Sequence, residues 1–208
     1  MTAPETGDLG TLPARGRPRD PNADEAIIDA TLALLIEEGF DRVSMDAVAA
    51  RAGVGKATIY RRWPSKEALV IDAVARRSDP MPPPSPPGVY PSGPIREQLA
   101  SLLDGIAAMS RSEVGKLLPC MVGASVSNPA LAEHYREKII APRRARVREL
   151  LERAVRVGWL RADLDVDLAI DLLVGPLMYR IVFAGDLPDG HCARLVDELM
   201  AGLAPKRR

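Results

Sequence analysis

Between Asp79 and Pro94 the chain places eight prolines in sixteen residues. Each proline ring fixes φ and removes a backbone donor, so this run can sustain neither a helix nor a central strand. It reads as an extended connector over 79–94 that parts the 208 residues into two units. A polyproline motif for a partner is the alternative to a plain spacer.

Both flanks have helical patterning, and no strand alternation or internal repeat is evident. Aromatic residues make up only 4% of the chain, so its cores must be built from Leu, Ile, Val, Ala and Met. Ala, Leu, Arg and Glu stand high on the helix scale, which points to an all-α fold. Residues 1–21 carry Pro4, Pro13, Pro18 and Pro21 without hydrophobic periodicity and read as a flexible basic arm. A first helix is expected from about Ala23 to Glu38, with Asn22 as N-cap and Gly39 as its stop. Its apolar positions are Ile27, Ala30 and Leu34 beside Ile28, Leu32 and Leu35.

Ser44 caps a short second helix whose buried face is Met45, Val48, Ala49 and Ala52. Gly53-Val54-Gly55 supplies a turn, and a third helix is expected from about Lys56 to Trp63. Burying Ile59 and Trp63 leaves Lys56, Thr58, Tyr60 and Arg61 on other faces. Two short helices around a glycine turn, the second of them basic, are what a helix-turn-helix requires for the major groove. Net charge is zero, and residues 1–80 are not basic overall. Arg51 to Lys66 nevertheless contains Arg51, Lys56, Arg61, Arg62 and Lys66 without one acid. After Pro64, Ser65 caps a fourth helix to about Arg77. Residues 22–78 are thus read as a DNA-binding unit.

The runs Ser44-Met45-Asp46-Ala47-Val48-Ala49, Ala52-Gly53-Val54, Thr58-Ile59-Tyr60 and Trp63-Pro64-Ser65-Lys66-Glu67-Ala68-Leu69 resemble the N-terminal signature of the tetracycline-repressor (TetR) family. The likeness spans about residues 23–77, with Trp63 where that family commonly has Phe. It implies an N-terminal three-helix helix-turn-helix domain followed by a C-terminal helical domain for ligand binding and dimerisation. It also implies a ligand-responsive repressor that binds palindromic double-stranded operator DNA as a homodimer. By that likeness Ser44, Thr58, Tyr60 and Lys66 contact phosphates, and Lys56, Ala57 and Arg61 face base edges. Arginine on guanine is worth about 1–3 kcal/mol of discrimination, whereas phosphate contacts mainly position the protein. Arg15, Arg17 and Arg19 in the arm suit a narrow minor groove, against a plain solvated arm.

Over 95–208 the expected helices are about Ile95–Ser110, Ser112–Ser125, Pro129–Val157, Asp165–Ala184 and His191–Leu203. Pro142 should kink or break the third of these, and Pro176 should bend the fourth. Asp165–Ala184 is too apolar all round for one packed side. The family likeness makes the last two helices the homodimer interface, as a four-helix bundle with their symmetry mates. Met109, Leu117, Met121, Tyr135, Met178, Tyr179 and Phe183 are candidates for an apolar cavity holding an unidentified small-molecule effector, or else ordinary core. Arg143, Arg144, Arg146 and Arg148 read as an anionic-ligand site or as a solvated face pairing with Glu149 and Glu152.

Cys120 and Cys192 lack metal-ligand spacing, and His134 and His191 are isolated, so no metal and no cofactor is expected. Cys120 is open to a redox-sensing role or to an inert one. The stretch Leu172–Gly185, interrupted by Pro176 and Arg180, falls short of the ~20 residues of a membrane span. The expectation is a cytoplasmic protein. A DNA-binding or architectural factor without an effector is one rival reading. The other is a helical enzyme, against which stands the lack of a phosphate loop or an identifiable nucleophile and base.

Overall fold

The structure, a computed structural model, describes residues 21–78, 93–185 and 187–203. Arg15, Arg17 and Arg19 of the expected arm, and all but the last two residues of the connector, lie outside the described residues. Among the described residues the regular structure is helical throughout, with α1 Pro21–Glu38, α2 Met45–Ala52, α3 Lys56–Tyr60 and α4 Lys66–Arg77 before the connector. After it come α5 Ile95–Ser110, α6 Leu118–Ser127, α7 Pro129–Tyr135, α8 Ala141–Arg156, α9 Val166–Tyr179 and α10 His191–Leu203.

The N-terminal helices close around Ile27, Ile28 and Leu35 of α1, Val48 of α2, Ile59 of α3 and Leu69 and Ile71 of α4. Each is at most 1% exposed, and fully burying such a side chain stabilises by about 1.5–3 kcal/mol. Thr31, buried in the same core, donates its hydroxyl to the Ile27 carbonyl at 2.7 Å and so leaves no orphan polar group. This core does not stop at the connector. Leu117, Met121 of α6, Leu131 of α7 and Ile139 complete it from the far side. A second cluster joins α5, α8, α9 and α10 through Leu99, Leu103, Leu151, Ile170, Leu173 and Val196.

Three departures from the helices expected over 95–208 have local causes. The helix expected from Ser112 begins only at Leu118, after a 3-10 turn over Gly115–Leu117. Gly115 packs so close to the end of α5 that a Cβ there would lie 2.1 Å from the Met109 carbonyl oxygen, and the Ser112 hydroxyl accepts from the Gly115 N–H at 3.0 Å. Between α7 and α8 the break expected at Pro142 appears just before it, as a π turn over Arg136–Ile140. Pro142, at the first turn of α8, has no N–H to offer the Lys138 carbonyl, which favours a wider turn there. Pro176 lies within α9, which gives way after Tyr179 to a second π turn over Arg180–Ala184, ended by Gly185 at φ 75°. Among the described residues no helix is long and apolar enough to cross a membrane.

Candidate nucleic-acid interface and internal cavity

The α2–turn–α3 unit is fixed by its caps. The Ser44 hydroxyl accepts from the Ala47 N–H at 3.1 Å, which starts α2. Gly53 ends it at φ 67°, a left-handed conformation that glycine adopts without a Cβ penalty. α3 is shorter than expected, ending at Tyr60, and continues as a turn through Arg61 and Arg62 to the buried Trp63. The Trp63 indole N–H donates to Asp72 of α4 at 2.8 Å. Ser65 then caps α4 by accepting from the Ala68 N–H at 3.2 Å. The end of α3 is therefore tied to both ends of the first two turns of α4.

This scaffold leaves Lys56, Ala57 and Tyr60 exposed on α3 and Arg61 exposed on the turn after it, with Thr58 half-buried. Tyr60 is 52% exposed, unusual for an aromatic side chain on so small a unit. The cations of the stripe have different occupations. Arg51 forms a bidentate pair with Glu37 at 2.5 and 2.6 Å, which holds the Glu37 carboxyl below its usual range. Lys56 pairs with Asp46 at 2.5 Å across the turn, and this hydrogen bond raises the lysine. Arg62 pairs with Asp24 of α1. Lys66 donates to the Phe40 carbonyl at 3.0 Å and lies 4.3 Å from the centre of that ring. Its ammonium thus serves the join between α1 and α4, a tertiary role that the sequence did not reveal. Arg61 alone of the five has no such partner among the described residues.

Deeper in the molecule a cavity of about 420 Å³ opens between α4, α5, α6, α8 and α9. Met109, Met121, Tyr135 and Met178 line it, together with Val74 and Ser78 from the end of α4 and apolar residues such as Ile106, Leu118 and Val174. The other three candidates are elsewhere. Leu117 is buried in the core shared with α1–α4. Tyr179 and Phe183 are 63% and 74% exposed, their rings 6.0 Å apart on the outer face. Both fall on the same side of α9 as Leu168, Leu172 and Pro176, at the spacing of three and four that makes one stripe, so an inward face for Met178 sends them outward. That face carries Leu168 at 53% and Leu172 at 45% exposure.

The arginine run at the start of α8 divides between two roles. Arg143 lines the cavity and donates to both the carbonyl and the hydroxyl of Ser78, the C-cap of α4. Arg144 pairs with Asp167 and Asp171 of α9, and Arg148 with Asp167 and, at 3.8 Å, Glu152. The expected pairing within α8 is therefore mostly replaced by pairing to α9, because α9 packs alongside. Burial pushes the Tyr135 phenol up, partly offset by the nearby Arg143 charge. Cys192 is buried against α5, where burial and Asp104 push its thiol up to about 11. Cys120 is exposed.

Two regions of the chain match known families. Residues 27–73 fit the family described as bacterial regulatory proteins, tetR family, and residues 89–199 fit a tetracyclin repressor-like C-terminal domain. The HTH-type transcriptional regulator YdeS of Bacillus subtilis is 36% identical over 191 residues, 91% of this chain and 93% of that protein. A DNA-binding transcriptional repressor TetR of Mycobacteroides abscessus is 30% identical over 191 residues, 90% of this chain and 94% of that protein. The crystal structure of the TetR family transcription regulator SCO0332 superimposes with a TM-score of 0.66 at 30% identity, covering 88% of this chain and all of that one.

Proposed function

The chain belongs to the TetR family of bacterial helix-turn-helix transcription regulators, and on that premise we propose that it is a cytoplasmic, ligand-responsive repressor binding a palindromic operator as a homodimer. Its work is binding rather than catalysis. The observation that carries the reading is the position of α4. One end follows the α3 turn and is held by Trp63 and Ser65, while the other end supplies Val74 and Ser78 to the cavity wall.

In the bound state Ala57 and Arg61 face base edges, joined by Lys56, whose exposed pair with Asp46 is weak enough to yield to DNA. Tyr60, Thr58 and the Ser44 hydroxyl, which keeps its proton while accepting from Ala47, reach phosphates, as does Lys66 if it exchanges a carbonyl for one. Arg15, Arg17 and Arg19 follow the minor groove. The stripe of Leu168, Leu172 and Tyr179 on α9 and Phe183 in the π turn after it, with α10 beside it, pairs with its two-fold copy. That pairing sets the two α3 helices about one DNA turn apart.

A ligand in the cavity favours one arrangement of α4 over another. Both grooves must be filled together, so a small change in the spacing of the two α3 helices costs much of the avidity. A molecule that bound both arrangements equally would have no effect. In-vitro selection from random DNA, repeated with Tyr60→Ala, tests the reading. A palindrome enriched by the wild type and lost in the variant is expected; a folded, dimeric wild type that enriches nothing, even with cell extract added, overturns it.

A further inference from the structure

The cavity wall is apolar along most of its length, through Leu102, Ile106, Val114, Leu118, Val174 and Met178. Its polar groups fall at two edges of unlike character. Where α8 meets α9, the lining residues Arg144 and Asp171 pair with each other, and Asp167 and Arg148 extend that network to two cations against two anions. That edge is self-neutralised and makes no demand on a ligand's charge. Beside the last turn of α4 the described lining residues are Arg143, Tyr135 and Ser78, each able to donate a hydrogen bond, whereas Asp171 lies at the other edge. Arg143 there supplies a guanidinium with a planar fork of donors suited to a carboxylate.

We propose that, given the effector reading of this cavity, its ligand is an organic acid with a mainly apolar body, whose anionic head binds Arg143 with the Tyr135 hydroxyl as second donor. The volume of about 420 Å³ lies in the range of small-molecule sites. Burial keeps the Tyr135 phenol in its neutral, donating form. The same contact explains how occupancy reaches α4. Arg143 donates to the Ser78 carbonyl at the negative end of that helix, a favourable place for a cation. An anion in the cavity draws the guanidinium toward itself, weakens that cap and frees the end of α4 to move.

Calorimetric titration of the full-length protein with decanoate, decanol and decylamine, each below its micelle-forming concentration, tests this. Decanoate should bind the wild type roughly tenfold or more tightly than decanol, the worth of a charge-assisted hydrogen bond. Arg143→Met should remove that preference and leave decanol binding within about twofold. Tyr135→Phe, which preserves the ring and its packing, should weaken decanoate alone and serves if Arg143→Met does not fold. Equal binding of decanol or decylamine by the wild type, or an intact preference for decanoate in both variants, overturns the organic-acid inference while leaving the effector cavity standing. If none of the three probes binds, the effector reading fails, and this inference with it.

Discussion

The helices before and after the connector use similar residues in different ways. In 21–78 the apolar residues close into a filled core, and the polar ends of α2 and α4 are capped by Ser44 and Ser65. In 93–203 the chain contains both π turns, the cavity and an outer apolar stripe on α9. A reading head must hold its side chains in a fixed geometry, because base contacts depend on fractions of an ångström. A responsive domain needs alternative packings of similar free energy, and wide turns around a partly empty core supply them. The contrast is not a clean split, since Leu117, Met121, Leu131 and Ile139 belong to the N-terminal core. Val74, Met121 and Ile139 belong to that core and also line the cavity wall, so these side chains touch both regions.

The largest expected effect tests the outer stripe. Leu172→Glu should convert the dimer to a folded monomer by light scattering, and operator affinity should fall on the order of a hundredfold or more because the two sites no longer act together. A variant that stays dimeric would remove the stripe from the interface. A pair of truncations addresses the contrast in packing. Ile59→Ala should cost about 2–5 kcal/mol in urea unfolding, whereas Leu118→Ala, half-buried beside existing space, should cost about 1 kcal/mol or less because it enlarges a cavity rather than opening one in filled core. Equal losses would erase the distinction between a filled and a responsive half.

Arg61→Ala separates reading from folding. It should lose about 1–3 kcal/mol of discrimination between operator and a single-base mismatch while leaving the urea midpoint unchanged, since Arg61 has no partner among the described residues to lose. The smallest effect concerns Cys192. Its folded thiol titrates near 11 against about 9 when unfolded, so its contribution to stability is full below pH 9 and falls away as pH rises from 9 to about 11. Wild type should lose urea stability over that window relative to Cys192→Ala. A constant difference between them would place the thiol in contact with solvent.

The helix-turn-helix was legible because its determinants are local. Ser44, Gly53 and Ser65 set caps and turn within a few residues of where they act, and the burial of Ile59 and Trp63 follows from spacing. The partners of the basic stripe were not legible. Glu37, Asp24 and the Phe40 carbonyl are far in sequence from Arg51, Arg62 and Lys66, and a charge pattern alone cannot tell a cation facing DNA from one facing the protein. The cavity candidates divided for a similar reason. Met109, Met121, Tyr135 and Met178 converge from four different segments, while Tyr179 is Met178's neighbour and turns the other way.

By itself, the sequence determined the helical class, the helix-turn-helix and, through its motif, the family. These depend on periodicity, caps and turns, whose energies are settled within a few residues. The tertiary structure decided which cations of the stripe pair within the protein, which aromatic residues face outward, and that Arg143 meets the end of α4 beside a cavity. Those outcomes depend on the packing angle and register between helices that are distant in the chain. A side chain's face is fixed by its own helix, but what lies opposite that face is fixed by the others.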